Sequence, residues 1–177
     1  MKILPIHTEA LRYFGYTEEE SRFLYLVATH SGYFTCQQFL QFIKMKPGKR
    51  SVAFARKVVE KGHASSKEYL RHGRVFHLFS RNLYEAIGRE NVRFRRAHST
   101  EYIRTRLIAL DFILRGRAAL SKPRSRGNYA EVVGLFERAS ALDPRSVEAQ
   151  SWLAIALIRR VLKWPTRQRA TLPARKG

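Results

Sequence analysis

Acidic residues are scarce in this 177-residue chain, which has 14 Asp and Glu against 34 Lys and Arg and a formal net charge of +20 at pH 7. A protein with such an excess repels itself unless a polyanion neutralises it. Nucleic acid is the usual polyanion, because each phosphate that a cationic side chain neutralises releases a counterion. An anionic membrane surface is the rival. Arginine outnumbers lysine by more than two to one, which favours forked contacts with phosphate or guanine over point-charge adhesion.

Cysteine and long apolar runs are almost absent. Cys36 is the only cysteine, so an intramolecular disulfide and a cysteine-rich zinc site are both excluded. A lone thiol suits a reducing compartment, and we expect a cytoplasmic protein. The first residues lack the apolar core of a signal peptide, and no segment approaches the ~20 consecutive apolar residues that a membrane-spanning helix needs. We therefore expect no membrane partner.

Motifs of catalysis are missing as well. The sequence has no glycine-rich phosphate loop, nucleophile elbow or paired-carboxylate motif. His63, His72 and His77 are close enough in sequence to meet on one hairpin, but no acid or second cysteine lies at a metal-ligand spacing from them. Cys36 falls in the first turn of a predicted helix, which should lower its pKa, yet no histidine accompanies it as a base. We expect no enzyme, no metal and no cofactor.

Helix starts are clearly marked in the N-terminal half. Residues 1–16 predict an extended lead-in, after which Thr17 and Glu20 form a capping box at the start of a helix. Thr35 caps a short second helix, Cys36–Ile43. The aromatic residues of this half interleave poorly with its basic residues. We therefore expect them in a core, and not on a stacking platform for single strands.

The basic segment 48–62 is the centre of the N-terminal half. It predicts a helix that ends at Gly62, with a buried stripe of Val52, Ala55, Val58 and Val59. The other side is mostly cationic and carries a small residue, which is typical of a helix-turn-helix recognition helix in the major groove. A solvated surface helix with basic decoration is the plain alternative. The residues expected on the exposed side are Lys49, Arg50, Ala53, Arg56, Lys57 and Glu60.

Two short strands are predicted next, at residues 63–69 and 75–79, on either side of a basic turn. Such a hairpin directly after a recognition helix indicates a wing, whose tip would touch the DNA backbone. The segment 44–96 carries 15 Lys and Arg but only 4 Asp and Glu, so the excess charge is concentrated here. Lys49, Arg50, Arg56 and Lys57 are expected in the major groove. The residues expected to hold phosphates are Lys44, Lys46, Arg71 and Arg74.

The first part of the chain resembles a known family. GYTEEESRFLYLVATHSGYFTCQQF, the basic helix and RVFHLFSRNLYEAIG together resemble the winged helix-turn-helix proteins of bacterial mobile elements. The similarity is to the replication-relaxation type, in which a strand ending in a Tyr/Phe-x-Leu-Thr/Ser pattern leads into a helix; FHLFS, residues 76–80, stands at that place. The resemblance covers residues 8–114. It implies a module that binds double-stranded DNA, which we expect to regulate transcription or replication.

The second part is similar to tetratricopeptide repeats. In NYAEVVGLFERASALDPRSVEAQSWLAIAL, Phe136, Ala139 and Pro144 stand at the spacing of a repeat's second helix and closing proline. Val132 departs from the pattern, since a small alanine is usual there. The helices are predicted at 128–142 and 146–162. One and a half repeats leave an apolar face that needs a neighbour, namely the N-terminal domain, a protein or peptide, or a second copy.

The expected fold is therefore mostly α with a small β-hairpin wing. A winged helix-turn-helix domain is predicted over residues 8–114, its last helix being 100–114, followed by tetratricopeptide-like helices over 115–162 and a disordered basic tail over 163–177. The expected function is non-enzymatic binding of double-stranded DNA. Two alternatives stay open: a protein-interaction module that uses residues 115–162, and a fusion of two truncated modules with no function of its own.

Overall fold

A computed structural model of the protein describes residues 5–69, 73–121 and 125–163. This part of the chain is mostly helical, with one small antiparallel sheet. The predicted basic tail beyond Lys163 lies outside the described residues. The helices are α1 (Pro5–Tyr13), α2 (Glu18–His30), α3 (Cys36–Ile43), α4 (Lys49–Glu60), α5 (Arg81–Ala86), α6 (Thr100–Leu120), α7 (Arg126–Leu142) and α8 (Val147–Lys163). The strands are β1 (Tyr33–Thr35), β2 (Ala64–Tyr69) and β3 (Gly73–Leu78).

Reciprocal side-chain caps start α2 and α3. Thr17 Oγ1 accepts a hydrogen bond from the Glu20 backbone N–H at 3.3 Å, and the Glu20 carboxylate accepts one from the Thr17 backbone N–H at 2.8 Å. Thr35 and Gln38 form a second capping box at the start of α3. A cap of this kind stabilises a helix by about 1 kcal/mol. The predicted starts of both helices are confirmed.

The N-terminal segment contains a helix, so the predicted extended lead-in is wrong over residues 5–13. Leu11 of α1 is 0% exposed and joins the core that α2 helps to form. Tyr16 is also buried, and its hydroxyl lies 2.7 Å from Nδ1 of His63. Tyr13, by contrast, is 90% exposed. Tertiary burial of one side stabilises this short helix, whose local sequence carries no clear helix start.

Aromatic side chains form the centre of the N-terminal core, as predicted. The Phe39 ring stacks on Phe54 at 4.0 Å between centroids, and Phe23 meets Phe34 edge to face at 5.5 Å. These four rings are at most 1% exposed. Offset and edge-to-face pairs add stabilisation beyond the area that they bury. The helices α2, α3 and α4 and strand β1 therefore converge on one cluster.

The sheet has the strand order β1–β3–β2, and both pairings are antiparallel. Ala64 is paired with Leu78 at one end of the β2–β3 hairpin, and Tyr69 with Gly73 at the other. The predicted hairpin is thus confirmed, with its second strand starting two residues earlier than expected. Strand β1 pairs with the outer side of β3, with Phe34 opposite Phe76. Along the chain, the hairpin follows α4 directly.

Helix α4 turns a different face to the core from the one predicted. Phe54 and Val58 are 1% and 0% exposed, whereas Val52 is 63% and Val59 36% exposed. The prediction that Val52 and Val59 are buried is wrong. Phe54 buries more apolar surface than a valine, and its ring stacks in the aromatic cluster. The side of α4 that is buried therefore carries Ser51, Phe54, Ala55 and Val58.

Helix α6 runs without a break from Thr100 to Leu120, about two turns beyond its predicted end. The predicted boundary between residues 114 and 115 thus falls inside a helix. Helix α7 packs along α6, and α8 packs on α7. Their shared core contains Ile113, Val132 and Phe136. The apolar face predicted for α7 is buried here, apart from the half-buried Leu142.

Helix α8 packs on this core. Ala149 is buried, and Leu153 and Leu157 are half-buried. Ala154 is exposed, whereas Ala156 is 0% exposed and packs in the core. Among the described residues, no helix is long and apolar enough to pass through a bilayer.

Candidate nucleic-acid interface

Two of the four cations predicted to enter the major groove are tied to α2. Arg50 forms an ion pair with Glu19, and Lys57 Nζ lies 2.7 Å from Oε2 of Glu20. The Lys57 side chain is 33% exposed and the Glu20 side chain 12%. Glu19 and Glu20 therefore neutralise the charges of Arg50 and Lys57 within the chain itself. Sequence analysis missed these pairs because the partners are separated by 31 and 37 residues.

The outer face of α4 keeps the other two cations. Arg56 is 72% exposed and makes only a 3.6 Å contact with Glu60, one turn further along the helix. A pair of this kind in water contributes little. Lys49 and Ala53 are exposed on the same helix, and so is Val52. The face that α2 leaves free thus combines two positive charges with small apolar side chains.

The turn between α3 and α4 holds Lys44 and Lys46 at the surface. Lys44 has a left-handed backbone, φ 56°, and its N–H closes the end of α3 on the carbonyl groups of Leu40 and Gln41. Neither lysine forms an ion pair with another described residue. Both side chains are therefore available to an anion at the start of α4.

The β2–β3 hairpin lies beside α4, with strand β2 in contact with the helix. Arg74 of β3 is 62% exposed and lies 3.4 Å from Glu68. A groove of about 460 Å³ separates the hairpin from α4, with Arg56 on one side and Arg74 on the other, and Val52 and Phe76 in its lining. Arg71 and His72, which were predicted at the tip, lie outside the described residues. The structure thus brings together one cation from α4 and one from β3.

Two arginines of α6 extend this basic surface, and sequence analysis did not single them out. Arg104 and Arg115 line a groove of about 790 Å³ that also contains Arg74 and Cys36. On its floor, Gln38 donates a hydrogen bond to Asp111 at 2.8 Å. Arg104 and Asp111 are seven residues apart, so the predicted helix 100–114 already indicated that they share a face, whereas Arg115 lies beyond its predicted end. It did not indicate that this face lies beside α3.

The pKa of the Cys36 thiol differs from the one predicted. Burial raises the pKa of Cys36, and the nearby charge of Arg74 opposes this shift without cancelling it. Its sulfur lies 3.7 Å from the carbonyl oxygen of Ser51. The predicted lowering of its pKa by the helix start is therefore wrong, and the group is a thiol at neutral pH.

The histidines near the hairpin have separate surroundings. His63 packs between Phe14 and Tyr16, whereas His77 stacks on Tyr33 at 4.3 Å and lies 2.9 Å from the carbonyl oxygen of Phe94. Burial is the main cause that lowers the pKa of each. Across the described ranges, no group of three or more His, Cys, Asp and Glu side chains is placed to hold a metal ion.

The chain matches no protein-family model, no curated protein and no solved structure. Its function has to be inferred from the charges, the exposed faces and the grooves described above.

Proposed function

We propose that the protein binds double-stranded DNA without catalysing a reaction, and that it acts as a regulator of transcription or replication. The carrying observation is the outer face of α4, which presents Lys49, Val52, Ala53 and Arg56 to solvent in a chain of net charge +20. The order α2, β1, α3, α4, β2, β3 supports a winged helix-turn-helix arrangement. In such a domain α4 would be the recognition helix and β2–β3 the wing.

The exposed side chains of α4 suit the chemistry of the major groove. The Arg56 guanidinium is a forked donor of the kind that pairs with O6 and N7 of guanine. Val52 is apolar and 63% exposed, which fits contact with a thymine methyl group. Ala53 is small enough for close approach of the helix to the bases. Lys49, at the first position of α4, would contact a phosphate.

The remaining cations would contact the phosphate backbone of the DNA. Lys44 and Lys46 precede α4, and Arg74 lines the groove between α4 and the hairpin, so in the proposed complex they would contact phosphates beside the groove that α4 enters. Arg71 stays a predicted phosphate contact at the tip. Arg50 and Lys57 already have carboxylate partners, so they would release fewer counterions on binding and contribute less than the sequence alone indicates.

The test is a salt titration of binding to random duplex DNA, followed by fluorescence anisotropy. Lys49→Ala removes a proposed phosphate contact, so it should weaken binding and reduce the slope of log K against log salt by about one. The matched control is Arg159→Ala, which removes the same charge from the exposed side of α8 and should leave the slope nearly unchanged. Equal effects of both substitutions would show that binding depends on total charge alone.

A second arm separates the folded domain from the basic tail. Four of the five basic residues of the predicted tail, those beyond Lys163, are changed together to glutamine in the full chain (Arg167, Arg169, Arg175 and Lys176). If DNA binding persists with most of its salt slope, the affinity lies in the folded part. If it disappears, the affinity lies in the tail and the proposed interface is wrong. That second result would favour a fusion product that adheres to any polyanion.

Protein interaction through residues 115–162 is the second candidate function. It is favoured by the outer face of α8, where Ile158 and Val161 are each 57% exposed and Leu162 is 77% exposed. In a tetratricopeptide array the next helix would cover such a face. The partner would be an amphipathic helix or a second copy of the chain. Its binding should fall little with salt, unlike phosphate binding.

Sedimentation equilibrium tests the self-association arm of this candidate. Ile158→Glu should abolish any concentration-dependent dimer, while Gln150→Glu, a change of the same charge elsewhere on α8, should not. A chain that stays monomeric at every concentration would rule out a second copy as the partner.

A further inference from the structure

A small cavity lies where α2, α6 and α8 meet, away from the face assigned to DNA. Its volume is about 90 Å³, which is room for about three water molecules at roughly 30 Å³ each or for one small anion. The residues that matter for its chemistry are Thr29, His30, Arg89, Arg117, Glu148 and Trp152.

Two polar atoms of this lining are enclosed and unsatisfied. Within the described part of the chain, His30 Nδ1 and Arg117 Nη1 have no hydrogen-bond partner. His30 is only 3% exposed. Leaving a buried donor or acceptor unpaired costs about 1–3 kcal/mol, and more for a charged group. Such groups in folded proteins are usually satisfied by a bound water or ion. The hydroxyl of Thr29 is already used, since it donates to the carbonyl groups of Tyr25 and Leu26.

The local charge distinguishes an ion from water. The carboxylate of Glu148 on the rim is paired with Arg89 at 3.1 Å. Arg117 has no carboxylate partner among the described residues; its guanidinium lies 4.7 Å from the centroid of the Trp152 ring. Burial is the main cause that lowers the pKa of Arg117 to about 10. Water would satisfy the hydrogen bonds of the cavity but would leave this half-buried charge without a counterion, which is costly.

The wider surroundings are also short of negative charge. Asp143 accepts hydrogen bonds from both Arg93 and Arg106, so its single charge is shared by two guanidinium groups. Burial, and then the charges of Arg117, Arg106 and Arg89, lower the pKa of His30 to about 3. His30 is thus a neutral imidazole at pH 7, and one of its two nitrogen atoms carries a hydrogen that it can donate.

We propose that this cavity binds one small oxyanion of the phosphate or sulfate class, held between the guanidinium of Arg117 and the imidazole of His30. The anion supplies the missing counterion and accepts from both unsatisfied groups, with His30 in the tautomer that carries hydrogen on Nδ1. Because its partners come from α2 and α6, and α8 closes it, the bound anion stabilises the packing of the C-terminal helices against the N-terminal core. This proposal does not depend on DNA binding.

Isothermal titration calorimetry of the full chain with sodium phosphate, at ionic strength held constant with sodium chloride, tests the site. A protein with this charge attracts anions over its whole surface, so variants define the specific component. Arg117→Gln should weaken the saturable component by at least about tenfold, because a charge-assisted hydrogen bond is lost. Arg159→Gln, the same change at an exposed position of α8, should retain it. Equal phosphate binding in both variants, or no saturable component in the unsubstituted chain, overturns the proposal and leaves a water-filled cavity.

A second measurement covers the case in which Arg117→Gln does not fold. The side-chain nitrogen signals of the histidines are followed by NMR in the unsubstituted protein as phosphate is added. The His30 signals should shift in a saturable way, while those of His98, which does not line the cavity, should not. Unchanged His30 signals at saturating phosphate would show that no anion enters the cavity.

Discussion

The Nζ atom of Lys57 donates to Oε2 of Glu20 at 2.7 Å, and the same oxygen accepts the backbone N–H of Thr17 at 2.8 Å. One carboxylate thus closes the cap of α2 and ties α4 to it. Both side chains are largely enclosed, so solvent screens their attraction less than that of a surface pair. With Lys57 held toward α2, the outer face of α4 is left to Lys49, Val52, Ala53 and Arg56.

Removing the shared carboxylate should destabilise the fold. We expect Glu20→Ala to lower the free energy of unfolding by about 1–2 kcal/mol, since the cap and Lys57 both lose their acceptor. Glu19→Ala is the matched control, because it removes an acid from the same helical turn but only an exposed pair with Arg50. It should cost less than about 1 kcal/mol. Urea denaturation followed by circular dichroism measures both, and equal losses would contradict the role given to Glu20.

Releasing Arg50 should strengthen DNA binding if the proposed interface is correct. Glu19→Gln leaves Arg50 without its partner, and one more phosphate contact should raise the salt slope by about one. Glu137→Gln, on the exposed side of α7, changes the net charge by the same amount and is the control. The salt titration described above measures both variants. An identical gain in the two would mean that Arg50 does not face the DNA.

Two glycines inside helices should respond to alanine with opposite signs. A Cβ atom at Gly116 of α6 would lie 2.8 Å from two ring atoms of Phe136, whereas one at Gly134 of α7 would have nothing within 4 Å. Gly116→Ala should cost about 1–3 kcal/mol through overpacking between α6 and α7. Gly134→Ala should stabilise by roughly 0.5–1 kcal/mol, because alanine favours the helix. Thermal unfolding compares them, and a stabilised Gly116→Ala would show that α6 and α7 are not in close contact.

The buried Arg106 should depend on its acid partner. Arg106 is 2% exposed and donates to Asp143, which also pairs with Arg93. Asp143→Ala should lower the free energy of unfolding by roughly 3 kcal/mol or more, because a buried cation loses its counterion. Glu137→Gln serves as the control, since it removes an exposed acid and should cost little. Urea denaturation at pH 7 measures the difference. A loss below about 1 kcal/mol would mean that Arg106 reaches solvent.

Because His30 is protonated more readily in the unfolded chain, the free energy of unfolding should decrease as the pH falls. The pKa of His30 is about 3 in the folded state and about 6.5 when unfolded. The unfolded state therefore binds more protons below pH 6.5, and stability is lost as the pH falls from 6.5 toward 3. Between pH 7 and pH 5 this amounts to about 2 kcal/mol. Burial acts to raise the pKa of Asp143, but its hydrogen bond to Arg93 and the charge of Arg106 outweigh this and lower it, so its contribution disappears only at lower pH.

Urea denaturation at pH 7 and pH 5, in buffer without phosphate or sulfate, checks this expectation. His30→Gln should reduce the loss of stability without abolishing it, because the lowered pKa values of His63 and His77 act in the same direction. If His30→Gln had the same pH dependence as the unsubstituted chain, His30 would be charged in the folded protein.

Local sequence by itself determined where several helices begin. The capping boxes of Thr17 with Glu20 and of Thr35 with Gln38 involve partners three residues apart, so no distant contact is needed to form them. The hairpin of β2 and β3 also depends on neighbours in sequence. The exposure of Lys49 and Arg56 on α4 was predicted for the same reason, since helical periodicity separates them from Val58 and Ala55.

Only the tertiary structure decided which face of each helix is covered and which charges remain free. Val52 and Phe54 are both apolar, and the choice of Phe54 for the core depends on the space beside Phe39, which lies in another helix. The pairing of Lys57 with Glu20, and the meeting of His30 with Arg117, join residues 37 or more positions apart. Charge and periodicity are properties of a segment, whereas burial and ion pairing depend on the groups that the rest of the chain brings alongside it.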